Sequence, residues 1–325
     1  LKKRWMGVLF AVLITVTFGL AFNSVQSNTM SAALQSAFSI EPLNSGIVIS
    51  VLTLVIIFGG VHRIAAISSV IVPVMAVGYI ALALFVVLAN IDRIPAVVEQ
   101  IVGNAFGWHQ AVGGGIGTAL MQGIKRGLFS NEAGMGSAPN AAATAHVTHP
   151  AKQGFIQALG VFTDTLLICS CTAFIILFGE DYIGSGLDGI QLTQAALTSE
   201  VGNIGGIYVA IATLFFAYSS ILGNYYYGEA NIRFFTSRQW PVVLYRMLVG
   251  GMVLFGSLAS LNLVWNLADV TMALMSICNL IAIFLLGKYA FRLLDDYLAQ
   301  KRKGIKSPVF HKEQMKDIEQ DLECW

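Results

Sequence analysis

Residues 123–145, Gly-Ile-Lys-Arg-Gly-Leu-Phe-Ser-Asn-Glu-Ala-Gly-Met-Gly-Ser-Ala-Pro-Asn-Ala-Ala-Ala-Thr-Ala, leave the chain few ways to fold. They lie in a run long enough to cross a bilayer, yet they carry Lys125, Arg126 and Glu132. They also carry Gly127, Gly134, Gly136 and Pro139, which interrupt a helix. Non-helical backbone at membrane depth is tolerated only where protein buries it or where it lines a wet cavity. An ionisable side chain at that depth marks a functional site by default. A broken helix with such neighbours near the midplane is a common way to build a ligand site in membrane proteins.

The surrounding sequence supplies the membrane. Of 325 residues, 56% are hydrophobic and 11% charged, against about 25% charged in a soluble domain. Long apolar runs, not short alternating strands, exclude a β-barrel. The fold class expected is an all-α polytopic membrane protein. Eight segments approach the ~20 apolar residues a crossing helix needs: 5–34, 44–60, 66–90, 112–147, 153–178, 203–227, 240–260 and 262–287. Lys2, Lys3 and Arg4 place the start of the first in the cytoplasm by the positive-inside rule. Alternation then puts Arg63, Lys152, Arg233, Arg238 and the tail from Lys288 inside. It puts Glu41, Asp92, Arg93, Glu99, Glu180, Asp181, Asp188 and Glu200 outside. The expected division is a transmembrane domain over 1–290 and a cytoplasmic tail over 291–325. Within the acidic, Gly-rich outer loop 179–202, residues 190–200 fit a short amphipathic helix. The basic tail residues Lys301, Arg302, Lys303 and Lys306 read as a solvated anchor, with contact to anionic lipid the weaker reading. The chain opens on Leu1, and a missing N-terminal part is expected. Cys169, Cys171, Cys278 and Cys324 have no metal spacing, and Cys169 and Cys171 read as packing residues.

Four constellations carry chemistry. Asn23, Gln26, Ser27 and Asn28 crowd the outer half of the first helix. Asn23 and Gln26 share a face, and amides suit a small zwitterion because each offers a donor and an acceptor. For Gln26, ligand contact and interhelical hydrogen bonding both stay open; for Asn28 the interhelical bond is the reading. In 112–147, a glycine-rich half-helix from Gly113 runs to about Phe129, residues 130–136 unwind, and a second half-helix starts near Ser137. Its N-terminal amides would suit a carboxylate. Glu132 is expected to pair with Lys125 or Arg126, holding the break open, while backbone, Ser130 and Asn131 meet the ligand. Asp164, within Thr163-Asp-Thr165, is an intramembrane carboxylate, either a proton or gating group or a structural hydrogen-bond acceptor. Ser219 and Ser220, with a backbone carbonyl one turn earlier, suit a small hard cation. Tyr225, Tyr226, Tyr227 and Glu229 read as an inner aromatic belt. Asp269 is a further acid near the outer end of the last helix. His146 and His149 have no metal-ligand partner spaced with them. No nucleotide loop, zinc set or nucleophile elbow appears, so an enzyme is not expected.

Gly127-Leu-Phe-Ser-Asn-Glu-Ala-Gly-Met-Gly-Ser-Ala-Pro139 closely resembles the signature of the alanine or glycine:cation symporter family, the sodium:alanine symporters. Phe22-Asn-Ser-Val-Gln-Ser-Asn28, Thr163-Asp-Thr165 and Tyr226-Tyr-Gly-Glu229 are similar to the same family. The resemblance runs from residue 1 to about 290. It implies a LeuT-like fold of two inverted five-helix repeats with core helices 3–10 present and helices 1 and 2 missing, so that the chain alone would be non-functional. It also implies a substrate site at Gln26, Phe129, Ser130, Asn131 and Gly134, with Ser220 shared. Sodium would bind at the Phe216 carbonyl, Ser219 and Ser220, where the family often has threonine in place of serine. Lys125, Arg126, Glu132 and Asp164 remain gating or ion-pair candidates. The function implied is sodium-coupled symport of alanine or glycine across the plasma membrane. The expected partners are the amino acid, sodium as a co-transported ion, and lipid. No cofactor and no nucleic acid are expected. Proton coupling through Asp164 or Glu132, and a non-translocating sensor of the same fold, are the alternatives.

Overall fold

A computed structural model describes residues 3–59, 61–106, 114–179 and 185–315. Lys2, Gly113, Glu180, Asp181, Gly184 and Cys324 lie outside the described residues. The side chain of Arg63 is likewise outside them.

The described chain is helical. Helix α1 (Arg4–Val16) passes through a π-helical turn, Thr17–Phe22, into α2 (Asn23–Phe38). Ser39, left-handed at φ 57°, ends α2, and Pro42 in the first turn opens α3 (Pro42–Phe58), where no intrahelical N–H is needed. Then come α4 (Val61–Ala89), α5 (Ile94–Ala105), α6 (Gly114–Ser130), the one-turn α7 (Ala138–Ala142) and α8 (Pro150–Thr163). A second π-helical turn, Asp164–Cys169, joins α8 to α9 (Ser170–Phe178). The chain ends with α10 (Ile190–Val201), α11 (Asn203–Phe235), α12 (Gln239–Leu258) and α13 (Leu261–Arg302). A helix forms where one was expected at 190–200: α10 (Ile190–Val201).

Among the described residues, five helical stretches are long and apolar enough to cross a membrane: Arg4–Phe38, Pro150–Phe178, Asn203–Phe235, Gln239–Leu258 and Leu261–Arg302. A sixth is added if Pro73–Ala89 and Ile91–Gly103, bent by 74°, count as one span. This is fewer than the eight read from the sequence. The difference has three sources. Helix α3 has only 17 residues. Pro73 sits inside α4. The 112–147 stretch divides into pieces, and its second half-helix stops at Ala142, well short of 147.

Close backbone approach holds α2, α3 and α12 together. A Cβ on Gly256 would lie 2.2 Å from the Ser24 carbonyl oxygen, and one on Gly46 2.7 Å from Ser257. Small residues at helix crossings are the rule where lipid removes the hydrophobic drive for association. Asn28 Nδ2 donates to the Gly256 and Ala259 carbonyls at 3.0 and 2.7 Å, and Ser50 donates to the Gly250 carbonyl at 2.8 Å. Asn28 is thus the interhelical clamp expected of it.

The tyrosine run is not a belt. Tyr225 is fully buried and Glu229 is 4% exposed. Tyr225 donates to Glu229, which also accepts from Arg233 at 2.6 Å and from Arg246 at 3.4 Å. A carboxylate placed between two guanidinium groups is stable inside a bundle because its acceptor sites are filled.

Helix α13 has 42 residues, about 63 Å at 1.5 Å per residue, about twice the hydrocarbon thickness of ~30 Å. It runs unbroken through residue 290 and then turns at Gly304 (φ 81°). The following strap doubles back along it. Val309 and the Gln300 side chain exchange two hydrogen bonds of 2.8 and 3.0 Å. Phe310, 4% exposed, donates its N–H to the Thr148 carbonyl at 3.0 Å, and the Thr148 hydroxyl donates to the Pro308 carbonyl at 2.9 Å. Beside it, fully buried His149 accepts from the Ala151 N–H at Nδ1, so Nε2 carries the proton toward Asp296, 3.1 Å away.

Gly256→Ala is expected to cost about 1–3 kcal/mol through overpacking and to lower the melting temperature in detergent. Gly251→Ala, which meets nothing within 4 Å, should leave it unchanged.

Candidate functional site

The break between α6 and α7 is built from left-handed backbone. Gly134 (φ 75°) and Gly136 (φ 81°) adopt it freely, whereas Glu132 (φ 48°) does so at some strain. The Ala133 N–H reaches back to the Leu128 carbonyl and the Met135 N–H to the Glu132 carbonyl, at 3.1 and 3.2 Å. Met135 is fully buried, plugged into the apolar cluster of Ile14, Phe18, Phe22, Val264 and Met275. Asn279 of α13 donates to the Gly134 carbonyl at 2.8 Å, and a Cβ on Gly136 would sit 2.6 Å from that same amide. The carbonyl of Gly134, a residue expected in the substrate site, is therefore engaged by Asn279.

The charges do not pair as the sequence suggested. Glu132 accepts a hydrogen bond from Ser137, at the head of α7. Lys125 and Arg126 turn instead to Asp269 of α13, at 3.5 and 2.8 Å, and Arg126 contacts both carboxylate oxygens. The Arg126 guanidinium also lies over the Trp265 ring, 4.1 Å from its centre. The reason is direction. The left-handed turn at Glu132 carries its side chain on toward Ser137, while Lys125 and Arg126 stay on the α6 face that α13 approaches. The carboxylate-binding amides expected at the second half-helix do not form such a site. Helix α7 is one turn long, and the Glu132 carboxylate stands at its start.

On the other side of the break, Ser130 donates to Asp164, with Cys169 Sγ 3.4 Å from the same hydroxyl. Thr165 donates to Asn131 Oδ1 at 2.7 Å. Asp164 thus accepts from a neighbouring helix and opens the second π-helical turn, a feature frequent at functional sites. Cys169 is exposed, not packed, whereas Cys171 is half-buried among the apolar residues of α4 and α9.

Phe129 stacks between Phe22 and Trp265, with ring centres 4.6 and 4.8 Å away. On α11, Ser219 and Ser220 both donate to the Phe216 carbonyl, at 2.8 and 3.0 Å. Three oxygens therefore converge there, in the pattern back-bonded serines take in any helix. Gln26, Asp164, Phe216 and Ser220 line one cavity of about 370 Å³. Asn23, three residues from Gln26, is instead fully buried and donates to the Gly19 carbonyl at 3.0 Å. Phe129, in its aromatic layer with Phe22 and Trp265, and Gly134, beside Leu280 and Asn279, do not line that cavity. Toward the α2–α3 connection lies a second cavity, of about 770 Å³, walled by Gln35, Glu41, Asp188 and Trp265. The two share Thr29, Ile190 and Thr193.

Sequence reasoning missed Tyr79, Thr172, Thr193 and Thr213 of the cavity wall, along with Asn279. Hydroxyls and amides in membrane helices are too common to single out without knowing which face they take.

The sodium:alanine symporter family model matches residues 1–312. The chain is 55% identical over 325 residues to a probable sodium/glutamine symporter of Bacillus subtilis, spanning all of this chain and 68% of the relative. It is 52% identical to an amino-acid carrier protein of the same organism, with 100% and 69% covered. It is 39% identical to a sodium/alanine symporter of Methanococcus maripaludis, with 87% of this chain and 62% of the relative covered. The chain thus spans about two thirds of the length of these relatives. They are transporters, not enzymes.

Asp269→Asn leaves Lys125 and Arg126 without a counter-charge and is expected to cost about 1–3 kcal/mol, given that the pair is only partly buried. The double variant Arg126→Gln/Asp269→Asn should recover part of that loss. Thermal unfolding in detergent checks both; a double variant no more stable than the single would contradict the pairing.

Proposed function

Because the chain belongs to the sodium:alanine symporter family, and is on that ground a multi-pass plasma-membrane protein of amino-acid:cation symport, we propose that it carries a small neutral amino acid, alanine or glycine, inward with sodium. One observation carries the reading. Gln26 of α2, Asp164 of the π-helical turn, and Phe216 and Ser220 of α11 are far apart in sequence and line one cavity.

In the proposed mechanism, the Ser219 and Ser220 hydroxyls rotate off the Phe216 carbonyl when sodium arrives, so that three oxygens face a hard cation. The amino acid sits between Gln26 and the broken segment, with the Phe129 ring as its lid. Ser130 and Asn131 are the break residues that meet it once released from Asp164 and Thr165. Gly134 gives the break its turn. The contact of Lys125 and Arg126 with Asp269 closes the outer side, and Glu132 and Ser137 hold the inner half of the break. The architecture that suits this cycle is the LeuT-like inverted repeat, with the described helices standing as its helices 3–10. Residues 1–290 are the transporter domain, and 291–325 are a cytoplasmic tail. Sodium and amino acid tighten each other's binding by the same factor, since linkage is reciprocal.

Asp164 at the cavity wall favours one second reading, coupling to protons. A relative from Bacillus sp. is named a sodium/proton-dependent alanine carrier. Uptake of labelled alanine by the full-length protein in proteoliposomes, driven by either gradient at matched potential, separates the two. Sodium-driven uptake that falls at least tenfold in Ser220→Ala is the expected outcome. Uptake indifferent to sodium that follows pH would assign coupling to Asp164 and remove the serine pair from the mechanism.

A further inference from the structure

The cavity at Ser220 is joined to other space on one side only. It shares Thr29, Ile190 and Thr193 with the cavity toward the α2–α3 connection. At the opposite end of the continuous α1–α2 span lies a third cavity, of about 690 Å³, between α1, α7, α11 and α13. Gly7, Phe10, Asn140, Asn231 and Asn279 are in its wall, and it shares no lining residue with the Ser220 cavity. The rings of Phe18 and Tyr227 meet edge to face, 5.2 Å apart, at a level between the two.

One face of α11 runs from one cavity to the other. Ser220, Asn224, Tyr227 and Asn231 are spaced four, three and four residues apart, which stacks them on one side of a helix. Asn224 is 7% exposed, and its Nδ2 has no partner among the described residues. Polar groups in protein interiors are normally paired, and each exception asks for a reason. At the end of the stripe, Asn231 Nδ2 donates to Asn140 Oδ1 at 2.9 Å and to the Tyr227 carbonyl at 2.8 Å. Helix α7 reads Ala-Pro-Asn-Ala-Ala, so Asn140 is its one hydrogen-bonding side chain. Asn140 donates its own Nδ2 to the Gly136 and Ser137 carbonyls, at 3.1 and 3.2 Å. Among the described residues, Asn231 is therefore the one side chain of another helix that hydrogen-bonds α7, and through Asn140 it reaches the end of the break.

We propose that Asn231 is a positioning residue of the transport cycle: its bond to Asn140 latches α7 against α11 and keeps the passage between the two cavities shut, so that opening at the α1 end requires this bond to break. The inference rests on the preceding reading, in which ion and amino acid bind beside Ser220 and the broken segment moves. A latch has to hold one state and still release it. A single hydrogen bond between membrane helices shifts an equilibrium by about threefold on average, enough to bias the passage toward closure without locking it. When α7 leaves α11, water enters along the stripe and gives the Asn224 amide the partner it lacks in the closed arrangement.

The test reads the passage directly. The full-length protein, with its native cysteines replaced by alanine, carries Asn224→Cys, and its reaction with a charged, water-soluble thiol reagent is timed in detergent. Adding Asn231→Ala or Asn140→Ala is expected to speed labelling about threefold, and the two together no more than either alone, because they remove the same bond. Asn231→Gln, which keeps an amide donor, should bring the rate back to within about twofold of the starting value. Labelling unchanged by both alanine variants overturns the latch, and a rate that the glutamine variant fails to restore assigns the effect to packing instead. A second measurement covers variants that fold poorly. Asn140→Cys/Asn231→Cys, in the same cysteine-free background, is bridged in proteoliposomes by a short reducible bis-thiol reagent. Sodium-driven uptake of labelled alanine should fall about tenfold on bridging and return on reduction. Uptake that continues through the bridge overturns the proposal. Absence of sodium-driven alanine uptake in the wild type contradicts the preceding reading instead, and the labelling rates, which need no transport, still decide the latch.

Discussion

Between Asn131 and Ser137 the backbone has left the helical ladder, and the neighbouring structure answers that departure. Each backbone polar group freed there and buried needs a new partner. Asn279 reaches across from α13 to the Gly134 carbonyl, the Ala133 and Met135 amides fold back on the preceding turn, and Met135 anchors the loop in an apolar socket. The partners come from α13 and from the α6 end itself. Helix α13 must therefore pass close to the break, which brings Trp265 and Asp269 against Phe129 and Arg126.

The same economy explains the charges. Lys125 and Arg126 are engaged by Asp269 of α13, Glu132 by Ser137 and Asp164 by Ser130. Two of these contacts are hydroxyl–carboxylate pairs at the break itself. A hydroxyl can release a carboxylate and turn to another acceptor with a single rotation about χ1, so contacts of this kind suit positions that must rearrange. The Asp269 contacts, reinforced by the Trp265 ring, are of a sturdier sort.

The residue types and the segment boundaries near the break were legible in the sequence because membrane depth makes glycine, proline and charge conspicuous there. The end of α6, the unwound 131–137 stretch, the helix α10 and the Asn28 clamp all follow from local rules. Partnership was not legible. Nothing local says that Arg126 meets Asp269 across 143 residues, or that Glu132 bends toward Ser137. The tyrosines of α11 misled for a related reason. An aromatic run near a helix end looks interfacial until Arg246 of another helix turns out to be waiting for it. The two π-helical turns leave no composition signal, yet one of them sets Asp164 into the cavity wall.

The strap at the end of α13 gives the chain's last described residues an indirect hold on its centre. Phe310 and Pro308 are bonded to Thr148, and Thr148 lies on the short connection that leaves α7. Asp296 grips His149 one residue later. Three hydrogen bonds thus fasten the end of α13 and its strap to the connection that follows the α6–α7 break, tying positions 147 to 162 residues apart into one corner of the fold.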